Sequence, residues 1–110
     1  VVVCEGPFDA MSIDGVALNG SEISDIQVDQ IDRLQREVIV VPDTDRAGRK
    51  LIDRAIEAGW TVSFPLWMET CKDINEAVVK YGKLFVLKDI LESRETSRLK
   101  IELKKKRLYN

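Results

Sequence analysis

The chain has 110 residues, 45% hydrophobic and 33% charged, which is enough for one small domain and not for two. It contains no histidine, so Ser-His-Asp and Cys-His catalysis and every His-ligated metal site are excluded, and chemistry falls to carboxylates, cations and hard metals. The net charge of −2 hides an asymmetry: residues 98–107 carry Arg98, Lys100, Lys104, Lys105, Lys106 and Arg107 against Glu102, a net of +5, so the remainder sums to −7.

Cys4 and Cys71 form no disulfide framework and lack the paired spacing of a zinc site; they are expected as buried apolar residues in a reducing cytosol. No apolar run reaches membrane-spanning length. The chain opens directly at Val1 with a strand pattern, so it is expected to be a piece of a longer polypeptide.

Val1-Val2-Val3-Cys4 is a β-branched apolar run of the kind found in a strand covered on both faces, and Glu5-Gly6-Pro7 ends it. Phe8 to Ile13 then predicts a short helix with Phe8, Ala10 and Met11 inward, and Val16 to Leu18 a second strand. Ser24 caps an expected helix from Asp25 to Leu34 that faces Ile26, Ile31 and Leu34 to the core. Glu37 to Val41 repeats the opening strand and runs into Pro42-Asp43. With Asp45 at the N-cap position, Ala47 to Ala58 predicts an amphipathic helix burying Leu51, Ile52, Ala55 and Ile56, and Gly59 terminates it. Thr61 to Phe64 is a fourth strand.

After Pro65 the alternation stops. Asp73 to Tyr81 predicts a helix with Ile74, Ala77 and Val78 inside, and Lys83 to Leu91 another through Leu84, Leu87, Ile90 and Leu91. In the tail, Leu99, Ile101 and Leu103 alternate as in a strand, while the Lys-rich composition and the Leu99/Leu103 spacing favour a helix. Trp60 and Trp67 flank the fourth strand, where packing and base stacking compete as roles and packing is the commoner one.

Strands alternating with crossover helices imply an α/β fold with a four-stranded, mainly parallel sheet flanked by helices. The expected division is a catalytic domain over residues 1–82 and a helical extension with a basic tail over 83–110. Sites in such sheets lie at the carboxyl ends of the strands. Glu5 follows the first strand, and Asp43 and Asp45 follow the third. If those strands are neighbours or next-neighbours, the carboxylates fall within roughly 5–10 Å of one another. Asp9, one helical turn beyond Glu5, and Asp73, after the fourth strand, can support the same edge. Clustered carboxylates repel unless a cation neutralises them, and an all-oxygen donor set selects Mg²⁺ or Mn²⁺. The chemistry this suggests is phosphoryl or nucleotidyl transfer, or phosphodiester cleavage. Single acidic residues at strand ends also serve as helix caps, and Asp45 taken alone fits that role.

Glu5-Gly6-Pro7-Phe8-Asp9-Ala10 after a hydrophobic strand resembles the EGxxDA motif of TOPRIM domains, which are Rossmann-like. Val40-Val41-Pro42-Asp43-Thr44-Asp45-Arg46-Ala47-Gly48 resembles their strand–DxDxAG motif, and the likeness runs from Val1 to about Tyr81. Ala47 stands where topoisomerases of this group carry an acidic residue, and Arg46 before it is similar to bacterial-type and phage DNA primases. Lys72-Asp73-Ile74-Asn75-Glu76-Ala77 resembles a primase segment after the fourth strand, but with Ile74 for a proline and Asn75 for an aspartate.

The resemblance implies the catalytic part of a DNA primase, a nucleotidyltransferase making RNA primers from nucleoside triphosphates on a single-stranded DNA template. Glu5, Asp43 and Asp45 would be catalytic and hold Mg²⁺ or Mn²⁺, assisted by Asp9 and Asp73. Arg46, Arg49, Lys50 and Lys72 would contact nucleotide phosphates, and Gly6 and Gly48 would allow close backbone approach. The same resemblance implies a bacterial or phage protein in the bacterial cytoplasm, meeting a replicative helicase through its full-length form. A zinc module and a template-gripping subdomain are not in this stretch, so the stretch alone is expected not to prime. A nuclease of the overcoming-lysogenization or small-ribonuclease type, or a non-catalytic TOPRIM scaffold, is the alternative. The basic tail reads either as a solvated helix face or as a contact to nucleic-acid backbone.

Overall fold

The computed structural model describes residues 1–6, 10–11, 13–17, 25–43 and 46–109, with the backbone only at Asp25, Arg46 and Ala47. In chain order the described elements are β1 (Val2–Cys4), β2 (Val16–Ala17), α1 (Asp25–Asp32), β3 (Ile39–Val40), α2 (Arg46–Ala58), β4 (Thr61–Ser63), a 3-10 turn (Leu66–Glu69), α3 (Ile74–Tyr81), α4 (Lys83–Glu92), β5 (Arg94–Glu95) and α5 (Arg98–Leu108). The five strands form one sheet in the order β2-β1-β3-β4-β5, parallel except for β5, which runs antiparallel to β4.

The fold class expected from the sequence is the one observed, with one more strand. Arg94-Glu95 gives β5 no apolar alternation to announce it; the strand exists because Val62 and Ser63 present an open edge to it. Among the described residues no helix is long and apolar enough to cross a membrane.

Strand periodicity divides the core in two. Val3, Val40 and Val62 face one side and pack against Ile31 of α1, Leu51, Ile52 and Ala55 of α2 and Ile101 of α5. Cys4, Ile39 and Val41 face the other and pack against Ala10, Ile13, Trp67, Cys71, Ile74, Ala77, Val86 and Ile90. Both cysteines are buried. Helices α4 and α5 thus reach into the same two cores as the sheet. Each fully buried aliphatic side chain there contributes about 1.5–3 kcal/mol over an exposed one.

Several apolar residues expected inside lie outside. Met11 is 74% exposed while Ala10 beside it is buried. Ile26 and Leu34 are exposed, and α1 docks instead through Ile31 with Val28 half-buried. In α4, Leu84 (83% exposed) and Leu91 yield to Val86 and Ile90, and in α5, Leu99 and Leu103 yield to Ile101. Phe8, Leu18 and the Ser24 cap lie outside the described residues.

Helix ends follow their local chemistry. Gly59 ends α2 at φ +76°, and Gly82 ends α3 at φ +90° while its N–H donates to the Val78 carbonyl at 2.8 Å. The left-handed backbone at both points is why glycine stands there.

Candidate metal and phosphate site

The chain leaves β1 toward β2 on one side and leaves β3, through α2, toward β4 on the other. The topological switch of the sheet therefore falls between β1 and β3, and the crevice at their carboxyl ends is where a ligand fits. Those ends carry Glu5 and Asp43.

The register is Val2↔Ile39 and Val3↔Val40, with the Val41 N–H donating to the Val3 carbonyl at 2.9 Å. Continuing it by two residues sets Glu5 opposite Pro42, one residue short of Asp43. The Asp43 N–H accordingly donates to Glu5 Oε1 at 3.2 Å. Glu5 is only 9% exposed, so its carboxylate is held at the strand end and does not sweep through solvent. The two sequence motifs, 38 residues apart, meet at this bond.

Gly48, in the first turn of α2, packs against the Asp43 carbonyl so closely that a Cβ there would overlap both that carbonyl and the Tyr109 hydroxyl. Tyr109, just beyond the end of α5, donates its hydroxyl to the same Asp43 carbonyl. Gly48 and Tyr109 thus hold the Asp43 backbone between α2 and α5. Tyr109 is a positioning residue that local sequence patterns missed. A lone tyrosine 66 positions from its partner leaves no periodic or motif signal.

The remaining candidates divide. Asp73 caps α3, its Oδ1 accepting the Glu76 N–H at 2.8 Å, so its carboxylate has a structural task. Lys72 before it is exposed, as is Lys50 on α2. Arg49 lines a cleft of about 550 Å³ with Lys105, Lys106, Arg107 and Tyr109. Gly6 accepts the Ala10 N–H at 3.1 Å through its carbonyl. Asp9, Asp45 and the side chain of Arg46 lie outside the described residues. Among the described residues no group of three or more His, Cys, Asp or Glu is gathered as a metal cluster.

The donor chemistry at the edge nonetheless suits a hard cation. It offers carboxylate oxygens without imidazole, and the nearby Cys4 thiol is turned to the carbonyls of Gly6 and Val16. The tryptophans serve packing: Trp60 is buried and donates Nε1–H to Asp32 Oδ1 at 2.8 Å, and Trp67 is buried in the 3-10 turn.

A second carboxylate that the sequence pattern did not single out is Asp89 of α4. It is 8% exposed and accepts from the N–H groups of Leu66 (3.0 Å) and Trp67 (3.1 Å) and from the Ser93 hydroxyl (3.0 Å), holding the 3-10 turn to α4. At the sheet edge Lys104 bonds Glu95 at 2.7 Å and holds its carboxyl below the ordinary glutamate range.

No curated protein matches the chain. The family model for Toprim-like domains matches residues 2–78, which is more than half of the chain and includes both acidic motifs. Toprim domains typically bind Mg²⁺ through acidic residues and act in nucleotidyl transfer or as nucleases. With that match, and with Glu5 and Asp43 joined at the switch point of a mostly parallel sheet, the chain belongs to the Toprim-like family.

Proposed function

We propose that this domain is the Mg²⁺-dependent nucleotidyl-transfer part of a DNA primase, acting in the cytoplasm on single-stranded DNA and nucleoside triphosphates. The observation that carries the metal-dependent part of this reading is the bond from the Asp43 N–H to Glu5, which brings the two acidic motifs to one edge of the sheet. Glu5 and Asp43 would hold the metal with Asp45, and Asp9 would assist. Asp73 spends Oδ1 on its cap of α3 and would join through Oδ2. When bound, Mg²⁺ supplies charge neutralisation and lowers the pKa of an attacking hydroxyl. The protein's own part is to hold Glu5 and Asp43 in place: burial and the Asp43 N–H orient the first, and Gly48 and Tyr109 brace the backbone of the second.

Primase is preferred over nuclease on the Arg46-Ala47-Gly48 sequence and the Lys72–Ala77 segment. The test uses the full-length protein that carries this domain, given ribonucleotides, a single-stranded template and Mg²⁺ or Mn²⁺. New primers, lost in Glu5→Gln and Asp43→Asn, are the expected result. Metal-dependent cutting of the template without synthesis would replace primase by nuclease, and neither activity would leave a scaffold.

A further inference from the structure

The cationic tail acquires a location in the fold. Helix α5 returns to the sheet face that carries α2, anchored by Ile101 in the core and by Lys105 Nζ on Asp53 Oδ1 at 2.6 Å. This return sets Lys106 and Arg107 beside Arg49 around the cleft of about 550 Å³, with Tyr109 completing the wall. Arg49, Lys106 and Arg107 are exposed, and among the described residues none of them is ion-paired, whereas Lys105 is held by Asp53. Three cations from two helices thus converge on one concavity in a chain whose net charge is negative.

We infer that this cleft is a binding site for the phosphodiester backbone of a nucleic-acid strand. Its wall is four cations and a tyrosine whose hydroxyl is committed to the Asp43 carbonyl, so it offers charge to several phosphates at once. A strand meets cations spread over two helices with successive phosphates along its backbone, whereas a free nucleotide carries its phosphates at one end only. Arg49 directly follows Gly48, which touches the Asp43 carbonyl, so a strand in the cleft lies alongside the Asp43 loop. Arg49 lies within the residues 2–78 that match the family, while Lys105, Lys106, Arg107 and Tyr109 lie beyond them, so most of the wall comes from outside the matched region. The inference deepens the reading above, because a phosphodiester strand is what that chemistry acts on. Its test needs no metal, so the two can fail separately.

The test is fluorescence anisotropy of a labelled, roughly 12-nucleotide single strand with the whole chain in EDTA. Three neutralised phosphates give a log–log salt slope of about −2, so affinity falls roughly 20-fold between about 50 and about 200 mM salt. Lys106→Glu with Arg107→Glu is expected to weaken binding at least about tenfold, and Arg49→Ala, on the other helix, to reduce the slope by about 0.7. Lys80→Glu with Lys88→Glu makes the same charge change on α3 and α4, which pack on the opposite face, and is expected to stay within about threefold of the parent. Far-UV circular dichroism and melting confirm that each variant folds. Equal weakening by the two charge-reversal pairs would overturn the site. Displacement of the strand by a nucleoside triphosphate at equal phosphate concentration would overturn the strand as its ligand.

Discussion

Gly48→Ala is the sharpest test of how the acidic loop is held. A Cβ at this position would overlap the Asp43 carbonyl and the Tyr109 hydroxyl. The tyrosine can swing away, but the carbonyl belongs to the backbone at the end of β3 and can move only with the loop. Overpacking costs about 1–3 kcal/mol, and an overlap this deep with backbone falls at the upper end, about 2–3 kcal/mol. Against it stands the gain of replacing glycine by alanine inside a helix, about 1 kcal/mol. The net expectation is a loss of roughly 1–2 kcal/mol, or about 4–8 °C in Tm for a chain of this size. Denaturant melts followed by circular dichroism and tryptophan fluorescence read the loss directly. In a Tyr109→Ala background one of the two overlaps is gone, so the second measurement should show Gly48→Ala costing about 0.5–1 kcal/mol less. A Gly48→Ala variant as stable as the parent, or more stable, would refute the close packing of α2 on the Asp43 carbonyl.

Asp89→Ala would strand the N–H groups of Leu66 and Trp67, the second of them buried, and is expected to cost about 2–4 kcal/mol by the same melts. Glu95 has its carboxyl held down by Lys104, so the stability it adds is present above the ordinary glutamate range and is lost as pH falls through the lowered value. Glu95→Gln should therefore flatten the acid limb of a stability–pH profile while costing no more than about 1 kcal/mol at neutral pH. An unchanged acid limb would show that the pair carries no such linkage.

The parts of the fold legible in the sequence are those in which one local pattern has one solution. The short β-branched segments around Val3, Val40 and Val62, bounded by turn residues, read as strands, and α2 has a single apolar stripe through Leu51, Ile52 and Ala55. Glu5 and Asp43 meet because the first two of those strands are direct neighbours, where the sequence allowed neighbours or next-neighbours. Helix α4 was not legible in the same way. Lys83 to Glu92 is apolar on more than one side, so the period alone cannot choose Val86 and Ile90 over Leu84 and Leu91. Helix α5 is harder still, since it is cationic with one buried anchor, Ile101. Its place is fixed by Lys104 on Glu95, nine positions away, and above all by Lys105 on Asp53 and Tyr109 on Asp43, pairings 52 and 66 positions apart that no local window contains. The basic cleft escaped the sequence for that reason: Arg49 and the tail were each visible, but their meeting was not.

The central claim is that Glu5 and Asp43 share a divalent cation, and a thermal melt with and without Mg²⁺ or Mn²⁺ tests it most directly. At a hundredfold excess over Kd the ion adds about 2.7 kcal/mol, close to 10 °C for a chain of this length. Glu5→Gln keeps an acceptor for the Asp43 N–H, and Asp43→Asn keeps the backbone that donates it, so both variants are expected to fold. The account predicts a metal-dependent rise in Tm for the parent and little or none in either variant. An equal rise in all three, or none in the parent, would contradict it.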